Sequence, residues 1–236
     1  MDEVVRNGGQ SEQSRAPGCP PPPAVAERIY GSALPMAQSY AAHLADTGVT
    51  HGLIGPREVE RLWERHILNC AVVSELIPQS AHLVDVGSGA GLPGLAVAIA
   101  RPDLQIDLVE PMARRVAWLE EVITDLGLSH VQVHRGRAEE VAVVGDVVTA
   151  RAVSRLATLS GWMAPLVRPG GLMLALKGAS AQEELERDRG AAGRVGWAEL
   201  TVLQVGTDLL EQPTTVIRGV RVETRSSRRT ARRPRR

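Results

Sequence analysis

The spacing of apolar residues changes at His82. Before it, residues 24–79 carry a helical pattern: a segment broken near Pro35, a link punctuated by Gly48, Gly52 and Gly55, and a long helix expected from about Pro56. In that helix Val59, Leu62, Trp63, His66, Cys70, Val73 and Ile77 recur at helical spacing, with Arg57, Glu60, Glu64 and Arg65 off the stripe. Such a stripe covers something. From His82 onward short apolar runs alternate with helical patterns, which predicts strands at 82–86, 105–110, 131–135, 146–150 and 171–177 and helices at 92–100, 112–127 and 156–167. That alternation requires a parallel sheet with right-handed crossovers and helices on both faces. A polar helix near 180–189 and strand-like runs near 197–205 and 213–222 complete a sheet of about seven strands, the last pair a hairpin.

The ends fall outside this pattern. Residues 1–23 are polar and finish in Pro20-Pro21-Pro22-Pro23, which implies an extended, solvated tail. The organisation expected is therefore a tail at 1–23, a helical extension at 24–79, an α/β domain at 80–222 and an arginine-rich tail at 223–236. With 236 residues, 44% of them hydrophobic, there is material for one well-buried α/β domain plus an extension. No apolar run approaches the length of a membrane span, and Met1-Asp2-Glu3 does not begin an export signal. Cys19 and Cys70 have neither metal-ligand spacing nor the density of a disulfide scaffold, so a reducing cytoplasm and no metal are expected, and a monomer with them.

Charge adds one asymmetry. The chain has 27 basic and 27 acidic residues, yet nine arginines and one acid, Glu223, lie from Arg218 onward, which leaves about −8 on the remainder. Either the basic end meets a polyanion, nucleic acid being the usual one, or it is a solubilising terminus.

The candidate chemistry lies at Leu83-Val84-Asp85-Val86-Gly87-Ser88-Gly89-Ala90-Gly91-Leu92-Pro93-Gly94. A buried strand leads into a turn whose glycines allow positive φ and close approach of a ligand, and a helix start follows with unpaired amides. Gly89 to Gly94 matches the dinucleotide fingerprint GxGxxG, and Glu110 ends the next strand, placed to accept ribose hydroxyls. A nicotinamide or flavin enzyme is an open alternative at this step. Two features favour S-adenosylmethionine. The loop follows about eighty residues of tail and helix instead of opening the chain. Asp85, just before the first glycine, would repel a pyrophosphate yet could engage the cationic methionine part of the cofactor, directly or through water.

Taken together, Arg65-His66-Ile67-Leu68, Asp85 to Gly94, Gly136-Arg137-Ala138-Glu139-Glu140, Thr149-Ala150-Arg151-Ala152 and Ala175-Leu176-Lys177-Gly178 resemble the RsmG or GidB family of bacterial 16S ribosomal RNA (guanine-N7) methyltransferases. The resemblance runs from about Glu58 to Gly178. It implies a class I S-adenosylmethionine-dependent methyltransferase, a Rossmann-like α/β fold with an N-terminal helical extension, acting on the small ribosomal subunit. It also implies cofactor contacts from Gly87 and Leu92, from Ala138 and Glu139 at the adenosine end, and from Arg151. Gly89, Gly91 and Glu110 join this set from the reading of the loop. For Glu139 and Glu140 the residues alone read as a solvated helix start, and for Arg151 as a surface cation.

Guanine N7 attacks with a lone pair that carries no proton, so no general base is expected and no catalytic residue is named. The purine gains positive charge, so Arg151 and Lys177 suit phosphate or the guanine O6 better than the ring. Arg65, His66, Arg155 and Lys177 are the candidate substrate contacts, His66 with a satisfied core histidine as its other reading. A cytosine C5 enzyme needs a cysteine nucleophile, and Cys19 and Cys70 are misplaced for that role. An exocyclic-amine enzyme commonly has an Asn/Asp-Pro-Pro-aromatic segment where this chain has Thr149 to Ser154. A methyltransferase for a small molecule or protein stays open, because only the resemblance speaks for RNA.

Overall fold

In the computed structural model, residues 18–223 are described, except 152. The first helical segment is α1 (Val25–Tyr30), a 3-10 turn at Gly31–Ala33, and α2 (Leu34–Ala45), followed by the short α3 (Thr47–Thr50). The interruption lies at Gly31, whose φ is 51°, and not at Pro35, which occupies the first turn of α2. A proline there forfeits no hydrogen bond, since first-turn amides have no helical partner.

The long helix expected from Pro56 is not a single α-helix. A 3-10 turn (Pro56–Arg61), a π-helical stretch (Trp63–Leu68), α4 (Asn69–Ala71) and another 3-10 turn (Val72–Leu76) follow one another. Of the stripe, Leu62, Trp63, Cys70, Val73 and Ile77 are buried while Val59 and His66 are half-buried, and Ile67, off the stripe, is buried as well. Apolar spacing does not distinguish turns of three, four or five residues, and tertiary contacts set the winding.

The sheet is β1 (His82–Val86), β2 (Gln105–Glu110), β3 (Val131–Arg135), β4 (Gly145–Arg151), β5 (Val167–Lys177), β6 (Trp197–Val205) and β7 (Thr214–Arg221). Its order is β3-β2-β1-β4-β5-β7-β6. The first five strands pair in parallel, and β7 runs antiparallel to both β5 and β6, which makes β6 and β7 the expected hairpin. Helices α5 (Gly94–Ala100), α6 (Ala113–Leu126), α7 (Leu156–Met163) and α8 (Ala181–Arg194) fill the crossovers. Between β3 and β4 there is only a turn at Ala138–Glu140, where the sequence suggested a helix start.

Strand order reverses between β1 and β4, so the carboxyl ends of these strands diverge and leave a crevice. The helical extension closes one side of it. Residues of α1, α2, the π stretch and α4 share a single buried cluster with Leu83, Leu95, Ile106, Leu108 and Trp118, while Val84, Val109, Val148, Leu159 and Met173 form the core on the other face. Polar bonds fix the same contact. Tyr40 Oη donates to the Ala90 carbonyl at 2.7 Å, Trp118 Nε1 to Thr47 Oγ1 at 2.9 Å, and Thr214 Oγ1 to the Asn69 carbonyl at 2.8 Å.

Of the solvated tail expected over 1–23, residues 1–17 lie outside the described residues. From Gly18 the chain runs along the helical layer, where Trp63 Nε1 donates to the Pro20 carbonyl at 3.0 Å. The arginine-rich end from residue 224 also lies outside them. Among the described residues no helix is long and apolar enough to cross a membrane.

Candidate active site

The crevice holds a cavity of about 600 Å³. Its floor is the glycine turn, with Val86, Gly87, Ser88, Gly89, Ala90 and Leu92 lining it. Gly87, Gly89 and Gly91 have φ of 71°, 57° and 80°, a region that side chains disfavour by about 1–2 kcal/mol. Space forbids a side chain as well: a Cβ at Gly87 would lie 2.9 Å from Val153 Cγ2, and one at Gly91 would lie 2.4 Å from Leu95 Cδ1. The turn is bound to β2 by Gly87 N and Ser88 N, which donate to the Val109 carbonyl at 2.8 and 3.2 Å. Tyr40 holds it from the helical side through Ala90. Sequence reasoning had no means to find that tyrosine.

Glu110 stands at the end of β2 with 1% of its surface exposed. Its Oε2 accepts from Gly89 N at 3.0 Å and its Oε1 from Met112 N at 3.0 Å. The carboxylate is thereby held in one orientation at the cavity wall, and each oxygen keeps a lone pair for a further donor. Arg115, one turn into α6, sits 3.7 Å from Oε2 and also lines the cavity. A cation five residues after an acid at a strand end was a readable signal, and the sequence reading passed over it.

Asp85 is placed differently from the direct contact considered for it. It is fully buried behind the turn, where Oδ2 accepts from Gly94 N at 3.1 Å and Oδ1 has no hydrogen-bond partner. Burial pushes its carboxyl up to about 7, against the opposing pull of the Gly94 amide. A Cβ on Gly94 would lie 2.8 Å from Asp85 Oδ2, so the glycine is what lets the carboxyl sit against the start of α5. Asp85 shapes the loop from beneath.

At the far end of the cavity Gly136, Arg137, Ala138 and Glu139 form a wall. The turn they belong to is closed by Arg137 N donating to Glu140 Oε2 at 3.1 Å and by Glu140 N donating to the Arg137 carbonyl at 2.9 Å. Ala138 is buried and Glu139 exposed. Leu53, Ile54, Met112, Val153 and Trp162 supply apolar surface that the sequence reading did not assign. Leu53 and Ile54 come from the glycine-punctuated link.

Arg151 and His66 meet on the remaining wall. Arg151 Nη2 lies 2.7 Å from His66 Nδ1, and Nη1 donates to Cys70 Sγ at 3.0 Å. His66 Nε2 is 2.9 Å from Glu58 Oε2. Both ring nitrogens are therefore engaged by protein. Arg65 flanks Glu58 at 3.7 Å with half its side chain exposed, and Arg155 is exposed just before α7.

Lys177 is not brought to the cavity. Its Nζ donates to the Ser154 carbonyl and to Glu184 Oε1, both at 2.9 Å, and Glu184 in turn accepts from Leu156 N. Lysine and glutamate side chains are only 10% and 14% exposed. The pair joins the end of β5 to α7 and α8, which is a structural use of a residue the sequence placed at the substrate.

A sheet ordered β3-β2-β1-β4-β5-β7-β6 with β7 antiparallel, together with a glycine turn at the β1–β4 reversal and a carboxylate ending β2, defines a class I S-adenosylmethionine-dependent methyltransferase. The residues fit the cofactor on their own terms, because the turn leaves no Cβ in its way and Glu110 keeps acceptor capacity for ribose hydroxyls. A family model described as rRNA small subunit methyltransferase G matches residues 33–210, and the chain belongs to that family, GidB. The match takes in the helical layer from α2 onward and the sheet through β6. The chain is 55% identical to the Ribosomal RNA small subunit methyltransferase G of Pseudarthrobacter chlorophenolicus over 195 residues, covering 82% of this chain and 90% of that one. With the protein of the same name from Rhodococcus jostii the identity is 53% over 211 residues, covering 87% and 92%. Among solved structures, the S-adenosylmethionine-dependent methyltransferase SibL superposes with a TM-score of 0.57 at 15% identity, covering 78% of this chain and 62% of that one. That likeness concerns the fold alone.

Proposed function

We propose that this protein transfers the methyl group of S-adenosylmethionine to N7 of a guanine in 16S ribosomal RNA, within the small ribosomal subunit. The observation that carries the RNA assignment is the match to relatives named for ribosomal RNA methylation over 90% of their length. In this reading Gly87, Gly89, Gly91 and Leu92 bear the cofactor from below, Glu110 takes its ribose, Ala138 and Glu139 flank its adenosine end, and Arg151 closes the pocket. The cofactor supplies an electrophilic methyl on a sulfonium, and the chain supplies alignment.

Proton inventory supports N7 as the target. The lone pair of N7 carries no proton, so the site needs no group to remove one. Glu110 is held by two backbone amides and assigned to the ribose, Asp85 lies behind the turn, His66 has both nitrogens occupied, and Glu139 is assigned to the adenosine end. What remains is orientation, which in enzyme sites contributes on the order of 7–11 kcal/mol. Arg65, exposed beside His66, and Arg155, exposed two residues after Val153, are the proposed contacts for RNA phosphates, with the arginine-rich end adding salt-dependent attraction. A cytoplasmic monomer that needs no metal completes the proposal.

Calorimetry with S-adenosylhomocysteine and with NAD tests the cofactor half of this reading. Binding of the homocysteine ligand without NAD is expected. Tight NAD binding with none of the homocysteine ligand would instead favour an oxidoreductase.

A further inference from the structure

Arg151 belongs to β4, yet the three hydrogen bonds of its guanidinium all go to the helical layer. Nη2 bonds His66 Nδ1, while Nη1 donates to the His66 carbonyl at 3.4 Å and to Cys70 Sγ at 3.0 Å. A guanidinium only donates, so Nδ1 must be the accepting nitrogen of a neutral ring. The proton of that ring is then on Nε2, which donates to the Glu58 carboxylate at 2.9 Å. Glu58 thus selects the tautomer, and the tautomer gives Arg151 something to bond. Three of the five guanidinium N–H groups are used in this way, which leaves the Nε–H and one Nη2–H on a residue that lines the cavity.

We propose that Glu58 and His66 are positioning residues that aim Arg151 into the cofactor cavity, His66 from the cavity wall and Glu58 from behind it, so that the helical layer controls cofactor affinity through Arg151. The inference rests on the reading of this cavity as the S-adenosylmethionine site. A protonated ring would present Nδ1–H to a guanidinium 2.7 Å away and break the arrangement. Burial, followed by the charge of Arg151, lowers the pKa of His66 below its ordinary value, which keeps the ring neutral at physiological pH. The groups facing it are Glu58 from the preceding 3-10 turn, Arg65 on its own stretch, Arg151 from β4 and Cys70 from α4. Arg61 flanks Glu58, and Asp85 lies beyond Cys70.

The test is calorimetry of S-adenosylhomocysteine with full-length protein between pH 5.5 and 8, using wild type, His66→Leu and His66→Asn. The asparagine carbonyl replaces Nδ1 as an acceptor and cannot take up a proton in this range. At pH 8, His66→Leu is expected to bind about tenfold more weakly and His66→Asn nearly as well as wild type. On acidification below the ordinary histidine pKa the wild-type affinity should fall by a component that His66→Asn lacks. Asp85 titrates in both proteins and cancels in the comparison. Wild-type affinity in a folded His66→Leu protein, or an unchanged pH dependence in His66→Asn, would overturn the proposal. Should His66→Leu not fold, the asparagine comparison decides alone. A wild-type protein that fails to bind the ligand at all would overturn the cofactor reading instead.

Discussion

Replacing Asp85 by asparagine should stabilise the cofactor-free protein at alkaline pH and do much less in acid. Folding takes this carboxyl from an ordinary value of 3.8 to about 7, because the folded chain removes it from water and leaves Oδ1 without a partner. The folded state therefore binds the proton more tightly than the unfolded one. Stability from this group is complete below pH 4, declines as the pH rises, and is lost once the pH passes 7. At about 1.4 kcal/mol per pKa unit, the full loss is on the order of 4 kcal/mol. Asparagine keeps an oxygen for the Gly94 amide and does not ionise. Any fixed cost of its buried NH2 is the same at every pH, so the informative quantity is the difference between the two proteins as pH changes. Urea unfolding at pH 5 and pH 8 measures it, and contributions of all other titrating groups cancel in the subtraction. The variant should gain on wild type by a few kcal/mol between those two values. Parallel stability profiles would refute the assignment of the raised pKa to Asp85.

Three further outcomes follow from the geometry. Gly87→Ala forces a side chain into positive φ and against Val153, so S-adenosylhomocysteine affinity should drop more than tenfold in titration calorimetry, and unaltered affinity would contradict the role given to the turn. Tyr40→Phe strands the buried Ala90 carbonyl and should cost about 1–3 kcal/mol in urea unfolding; a change below about 0.5 kcal/mol would mean that the bond does not hold the loop. Lys177→Met leaves Glu184 without its cation and should destabilise by about 3 kcal/mol while the folded variant keeps its cofactor affinity. Calorimetry showing lost affinity in folded Lys177→Met would return that lysine to the site.

The sheet was largely legible because a buried parallel strand is a short apolar run between breakers. The residues expected for β1, β2, β3 and β6 coincide with those observed. The helical layer was legible as buried but not as wound, since Trp63, Ile67 and Leu68 meet the same burial demand in a π turn as in an α turn. At the cavity, Gly87, Gly89 and Gly91, each required by its backbone, and Glu110, at the end of the next strand, could be read locally. Tyr40, Trp162 and the Leu53-Ile54 pair could not, because apolar spacing marks a residue as buried without saying whether core or cavity lies beside it. Lys177 misled for a related reason: a lone cation at the carboxyl end of a strand looks like a ligand group until Glu184, on a different element, is seen to claim it. The pairing of His66 with Arg151 spans 85 positions, and no local pattern encodes it.

The central claim is methylation of guanine N7 in small-subunit RNA, and nucleoside mass spectrometry of 16S RNA from cells with and without this protein tests it most directly. Loss of one 7-methylguanosine from the RNA of the deficient cells, restored when the protein is supplied, is the expected result. Equal 7-methylguanosine in the two RNAs would contradict the claim.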